Sequence, residues 1–171
     1  MNLLPPATVL TVAMLAGCAN TYVEPTSGPI AKITFDMDRS PESWVTTYAD
    51  PETCSGRIFL LHESKGVPTT ATKTFAAGKA VTFSLGALMG TRPVTFGAGF
   101  TICNVSITFT PLAGVDYRAS LSSTGALCRG AFRRTDGIAL QTSEYRVRTW
   151  KRAHLESGSF CAPGDRLAPR A

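Results

Sequence analysis

The chain has 171 residues, of which 44% are hydrophobic and 17% are charged, and its formal net charge is +5. This length fits one domain that buries about two-thirds of its unfolded surface. The apolar stretch near the N-terminus, residues 7–17, is far shorter than the roughly 20 residues that a transmembrane helix requires, which excludes a membrane-spanning helix there.

Residues 1–17 carry no charged side chain and end in small residues. A short apolar region followed by small residues is typical of a secretory signal and its cleavage site. Residues 15–18, Leu-Ala-Gly-Cys, resemble the lipobox of bacterial lipoproteins. The resemblance implies cleavage before Cys18, a diacylglycerol on its thiol, and stable anchoring in a membrane by several acyl chains. The alternative is that residues 8–17 are a buried segment and Cys18 is a core thiol.

The residue after Cys18 indicates which membrane a lipidated chain would be anchored in. In Gram-negative lipoproteins an Asp directly after the lipidated cysteine commonly retains the protein at the inner membrane, whereas this chain has Ala19. The resemblance therefore implies the outer membrane, with the domain facing the periplasm. Residues 18–29 are largely polar and contain two prolines, a composition that predicts a flexible tether.

Beyond the signal peptide, the chain has four cysteines: Cys54, Cys103, Cys128 and Cys161. An even number of cysteines in an exported domain predicts two disulfides, although the sequence alone allows any of three pairings. A metal site is disfavoured, because no two cysteines are spaced Cys-x2-Cys and no histidine lies near a cysteine pair.

The predicted strands favour one of these pairings. Residues 100–110 and 115–123 are predicted to form a hairpin, which would bring Cys103 close to the segment that carries Cys128. Cys54 would then bond Cys161 and pin a C-terminal tail, residues 154–171, to the domain.

Short apolar segments separated by turn residues continue through residues 30–153. Apolar residues alternate with polar ones in several of these segments, and no window shows helical periodicity over three turns. We expect residues 57–62 to be a central strand and residues 77–79 a tight turn. Residues 86–93 are predicted to be a loop or one short helical turn, and residues 100–102 a bulge or a strand that changes exposure. The predicted strands are 31–37, 44–48, 57–62, 72–76, 80–85, 101–109, 115–123, 126–133 and 144–150.

These strands predict an all-β domain, an antiparallel β-sandwich with two disulfides. Residues 109–118, a strand, a Pro/Gly turn and then Tyr117, resemble a feature of immunoglobulin-like and transthyretin-like sandwiches, in which a Tyr packs over the preceding corner. The stretch from Cys103 to Cys128 also resembles small uncharacterised β-sandwich lipoproteins of Proteobacteria. These resemblances imply a fold and no activity.

Searches for catalytic motifs return nothing: there is no Gly-x-Ser-x-Gly, His-Glu-x-x-His, phosphate-binding or dinucleotide-binding pattern. His62 precedes Glu63 and Ser64, but neighbours on a strand point to opposite faces, so His62 is interpreted as a strand-end residue. Asp36 and Asp38 share one face of a strand end, where a solvated rim is favoured over a cation site. The sequence thus predicts no catalytic residue, no bound metal and no cofactor.

The positive charge is concentrated at the C-terminal end, since residues 129–171 hold nine Lys or Arg against four Asp or Glu. On a strand, Arg146, Arg148 and Trp150 share one face, with Arg152 following. Such a row suits an anionic partner, whereas the alternative is a charged, solvated edge strand that prevents aggregation. Arg133 and Arg134 are expected nearby.

The sequence therefore predicts a membrane-anchored periplasmic lipoprotein that is not an enzyme and serves as an envelope interaction or structural module. The alternative is a binding or inhibitor-type module that takes an anionic lipid, glycan or protein through the basic C-terminal face. Nucleic acid is not an expected partner in this compartment.

Overall fold

The computed structural model describes residues 21–94, 97–124, 127–155 and 157–166, so the predicted signal peptide and Cys18 lie outside the described residues. Within these ranges no helix is long and apolar enough to cross a membrane. The described residues form ten strands. They are β1 (Ile30–Met37), β2 (Ser43–Asp50), β3 (Ser55–Glu63), β4 (Thr69–Ala76), β5 (Val81–Val94), β6 (Gly97–Phe109), β7 (Asp116–Thr124), β8 (Leu127–Arg134), β9 (Tyr145–Trp150) and β10 (Cys161–Arg166).

The strands form two sheets that pack face to face, which confirms the predicted β-sandwich. One sheet has the order β4-β1-β7-β8 and the other the order β10-β9-β6-β5-β2-β3. Neighbouring strands are antiparallel, as expected, except that β1 and β7 pair in parallel. The core between the sheets contains a cluster of aromatic rings with centroids 4.7–6.1 Å apart, an arrangement that stabilises beyond simple burial. These rings belong to Phe35, Phe83, Phe109, Tyr117 and Phe132.

The predicted hairpin of residues 100–110 and 115–123 is wrong, because β6 and β7 lie in different sheets and the turn at 111–114 carries the chain from one sheet to the other. The predicted tight turn at 77–79 is present, and it too connects strands of different sheets, β4 and β5. An alternating strand presents its apolar side chains to the core from either sheet, which is why periodicity does not distinguish a hairpin from such a crossing. The tyrosine corner is confirmed, since the backbone N–H of Leu112 donates to the Tyr117 hydroxyl at 3.0 Å.

Both predicted disulfides are confirmed, with Cα–Cα distances of 5.4 Å for Cys54–Cys161 and 5.5 Å for Cys103–Cys128. The predicted hairpin of residues 100–110 and 115–123 does not bring Cys103 close to Cys128, because β6 and β7 do not pair. Instead, Cys103 is buried on β6 of one sheet and Cys128 lies on β8 of the other. The bond therefore joins the two sheets.

The loop or short helical turn predicted at 86–93 is wrong, since these residues continue β5. Gly86 lies opposite Trp44 on β2, and a Cβ at this position would lie 2.1 Å from the Trp44 ring. The glycine here makes room for an indole on the sheet surface rather than ending a strand. The bulge expected near residues 100–102 occurs in the partner strand, where the register shifts between Leu88 and Gly90.

The expected central strand at 57–62 is wrong too, because β3 is at the edge of the six-stranded sheet. The first described residues lie alongside it. Thr21 forms a parallel bridge with Phe59, and the Tyr22 hydroxyl donates to the Thr74 carbonyl of β4 at 2.6 Å. This N-terminal segment therefore contacts both β3 and β4. At the other terminus, the predicted tail contains β10, which pairs with β9.

Candidate functional site

The outer face of the six-stranded sheet carries a row of buried hydroxyl groups. The Tyr48 and Ser84 hydroxyls lie 2.7 Å apart, and Ser84 and Ser106 lie 2.6 Å apart. Thr82 and Thr108 form a second pair at 2.6 Å. Each of these residues is at most 6% exposed. Because a sheet face is solvated unless something covers it, these buried hydroxyls indicate a covering layer.

The cover is a flap formed by residues 51–54 and 158–161. The Cys54–Cys161 disulfide joins its two parts, the Phe160 N–H donates to the Cys54 carbonyl at 3.0 Å, and the Ser159 hydroxyl donates to the Thr53 carbonyl at 2.6 Å. Tyr48 packs beneath the flap in a small second core with Phe160 and the two cysteines. The flap is therefore a built part of the fold.

A cavity of about 470 Å³ remains beside the flap, which we call the aromatic groove. Trp44, seated against Gly86, lines this groove together with Trp150 and Phe160, whose ring centroids are 6.5 Å apart. Side chains from five strands (β2, β3, β5, β6 and β9), from the flap and from the connections before β2 and after β9 thus meet at one opening. The lining residues are Glu42, Trp44, Arg57, Leu88, Ile102, Trp150, Arg152, Ala153, His154 and Phe160.

The charges of the groove are mainly positive. The Arg57 guanidinium lies between two rings, 4.8 Å from the centroid of Phe59 and 4.7 Å from that of Phe160, which is cation–π geometry. Arg152 is exposed on the loop after β9. Glu42 also lines the groove, and its Oε1 lies 2.9 Å from His62 Nε2.

The four residues predicted to bind an anion divide into two pairs. Trp150 and Arg152 line the aromatic groove. Arg146 and Arg148 instead contact Glu52 of the flap: Arg146 donates to its carboxylate at 2.5 Å and Arg148 to its backbone carbonyl at 2.8 Å. Arg148 is only 8% exposed.

The shared face of this arginine row was predicted correctly, but that face is covered by the flap. The alternative of a solvated edge strand is wrong, because β9 lies between β10 and β6. The positive charge of Arg148 holds the flap in place. Arg133 and Arg134 are not beside this row, since they lie on β8 of the other sheet.

Sequence reasoning missed Trp44, Arg57, Ile102 and Phe160, which come from β2, β3, β6 and the flap. Their convergence depends on strand order and on the Cys54–Cys161 bond, and neither is encoded locally. The one local signal is a glycine inside a strand, since Gly86 marks a close approach.

Three acidic residues that the structure describes, Asp36, Glu42 and Glu52, have separate basic or hydroxyl partners. Asp36 forms an ion pair with Arg118, which lowers the pKa of Asp36, and also accepts from the Thr70 hydroxyl. Glu42 and Glu52 have the basic partners described above. Within the described part of the chain, no three His, Cys, Asp or Glu side chains are grouped to hold a metal ion.

No protein-family model, curated protein or solved structure matches this chain.

Proposed function

We propose that this chain is an exported lipoprotein, anchored through Cys18 to the outer membrane and facing the periplasm, that serves as a non-enzymatic binding module of the envelope. The Leu-Ala-Gly-Cys sequence before the domain supports the anchor. The two disulfides support an oxidising compartment, because such bonds persist mainly in exported proteins.

The aromatic groove is the observation that carries the binding role. Trp and Arg dominate the energetics of protein interfaces, and this groove combines two Trp with two Arg. The partner that fits is a segment of an envelope protein with an apolar side chain for the Trp44 and Trp150 walls and a carboxylate for Arg152.

A second candidate is a small anionic ligand, such as a lipid headgroup or an acidic glycan. The groove volume favours it, because cavities of about 300–1,000 Å³ are typical of small-molecule sites. Both candidate partners would bind in the aromatic groove, and they differ in molecular mass, since one is a protein and the other a small molecule.

Quantitative capture tests the groove. The purified full chain and its Trp150→Ala and Arg152→Glu variants are exposed to solubilised envelope proteins, and bound proteins are measured by mass spectrometry. Truncating Trp150 removes a candidate hot-spot residue, so we expect a loss of about 2 kcal/mol, or about thirty-fold in affinity.

Arg129→Glu is the matched control for Arg152→Glu, because Arg129 is exposed on β8, outside the groove. A protein partner whose capture falls with both groove variants and not with Arg129→Glu supports the first candidate. A bound small mass in native spectra of the wild type, lost in Arg152→Glu, supports the second. Capture and native spectra that are identical for all variants would refute the groove as the binding site.

A further inference from the structure

The N-terminal segment fixes where the chain leaves the domain. Thr21 bridges Phe59 at the free edge of β3, and Tyr22 packs on Phe75 of β4 with ring centroids 5.2 Å apart. Only Ala19 and Asn20 lie between Cys18 and Thr21. A fully extended chain covers at most about 3.6 Å per residue, so these three steps keep the two Cα atoms within about 11 Å of each other.

The surface around this exit point carries apolar and basic side chains. Phe59 is 46% exposed and Val23 is 82% exposed. The Arg57 guanidinium lies over the Phe59 ring, which places a positive charge beside this exposed aromatic side chain. Apolar side chains with an adjacent cation suit the interface of a bilayer that contains anionic phospholipid.

We propose that this surface, formed by Val23, Arg57 and Phe59 and called here the anchor edge, lies against the headgroups of the bilayer that holds Cys18. The proposal rests on the lipid anchor proposed above. Acyl chains on Cys18 hold its backbone at the membrane surface, and a connection this short leaves the β3 edge no room to stand away from it. Since Arg57 also lines the aromatic groove, the groove then opens beside the headgroups.

Site-specific photocrosslinking tests the orientation. The full lipidated chain is purified with benzoylphenylalanine at position 59 or at position 138 and reconstituted in vesicles of phosphatidylethanolamine and phosphatidylglycerol. Ile138 is the matched control, because it is 57% exposed on the connection between β8 and β9, away from β3. We expect protein–lipid adducts from position 59 and none from position 138. Equal adducts at both positions, or adducts at position 138 only, would overturn the proposal.

Hydrogen exchange on the unsubstituted chain gives an independent result. Amide hydrogens of β3 should exchange more slowly in the vesicle-bound chain than in the unlipidated Cys18→Ser chain. The exchange rates of β8, another edge strand, should be the same in both. Intact mass is measured first, and a chain without lipid would overturn both the anchor and the anchor edge. A lipidated chain whose β3 exchange is unchanged would overturn the anchor edge alone.

Discussion

Removing the Cys54–Cys161 disulfide should destabilise the domain more than removing Cys103–Cys128. The first bond closes a loop with a sequence separation of 107, and the second closes one of 25. Both cysteines of the first bond are buried, and the flap that they join covers the hydroxyl rows of the six-stranded sheet. The comparison therefore uses two double variants of one chain, Cys54→Ala/Cys161→Ala and Cys103→Ala/Cys128→Ala.

The expected magnitudes follow from loop closure in the unfolded chain. The entropy removed by a cross-link is about 2.1 + 1.5R ln n cal/mol/K, where n is the loop length. With the separations of 107 and 25, this relation gives about 4.8 kcal/mol for Cys54–Cys161 and about 3.5 kcal/mol for Cys103–Cys128 at 25 °C. The expected difference between the variants is about 1.3 kcal/mol.

Urea unfolding of both variants and the parent chain, followed by circular dichroism, measures the free energies of unfolding. The order is the decisive result. If the Cys103→Ala/Cys128→Ala variant is the less stable one, restriction of the unfolded chain does not explain the stability that the two disulfides contribute. The bond between the sheets then contributes more to the free energy of unfolding than the bond within the flap. A Cys54→Ala/Cys161→Ala variant that loses less than about 1 kcal/mol would also refute the reasoning.

Three further substitutions test single contacts. Tyr117→Phe leaves the Leu112 N–H without its acceptor, so urea unfolding should show a loss of about 1–3 kcal/mol, and an unchanged midpoint would contradict the corner contact. Burial, with the nearby Glu24 carboxylate, raises the pKa of Tyr22 to about 12. The neutral phenol therefore contributes stability that is complete below the ordinary pKa near 10 and is lost as pH rises toward 12, and Tyr22→Phe should flatten this alkaline loss in thermal unfolding. Hydrogen bonding to Arg118 lowers the pKa of Asp36. The ionised carboxylate therefore contributes stability that is present above the ordinary pKa of Asp and is lost as pH falls through the lowered pKa. Asp36→Asn should flatten the loss of stability at acid pH in thermal unfolding, and an unaltered slope would contradict the ion pair.

Much of the fold could be predicted because it depends on local patterns. The alternation of β1 matches its observed burial, in which Ile33 and Phe35 face the core and Lys32 faces solvent. The position of Tyr117 after a Pro/Gly turn was sufficient for its corner contact. Both patterns operate within a few residues, where periodicity and turn chemistry are informative.

The remaining features of the fold and of the groove depend on strand order, which local sequence patterns do not indicate. The glycines at 86–93 predict an interruption of the strand, because glycine weakens strand interiors, whereas Gly86 leaves room for the Trp44 ring of another strand. Arg148 was placed on the correct face, but its burial depends on residues 51–54, which are distant in the sequence. The candidate site was therefore half predicted: Trp150 and Arg152 were identified, and their partners in the groove were not.

The two segments that the sequence marks as tether and tail both complete the six-stranded sheet. Thr21 lies along β3 at one edge, and β10 pairs with β9 at the other. Exposed strand edges invite pairing between molecules, and the arginines of β9 were one predicted defence against it. Because β10 covers that edge, Arg148 is available to hold the flap instead. The order of the sheet thus explains how one strand of the basic segment contributes both a buried structural cation and Trp150, which lines the groove.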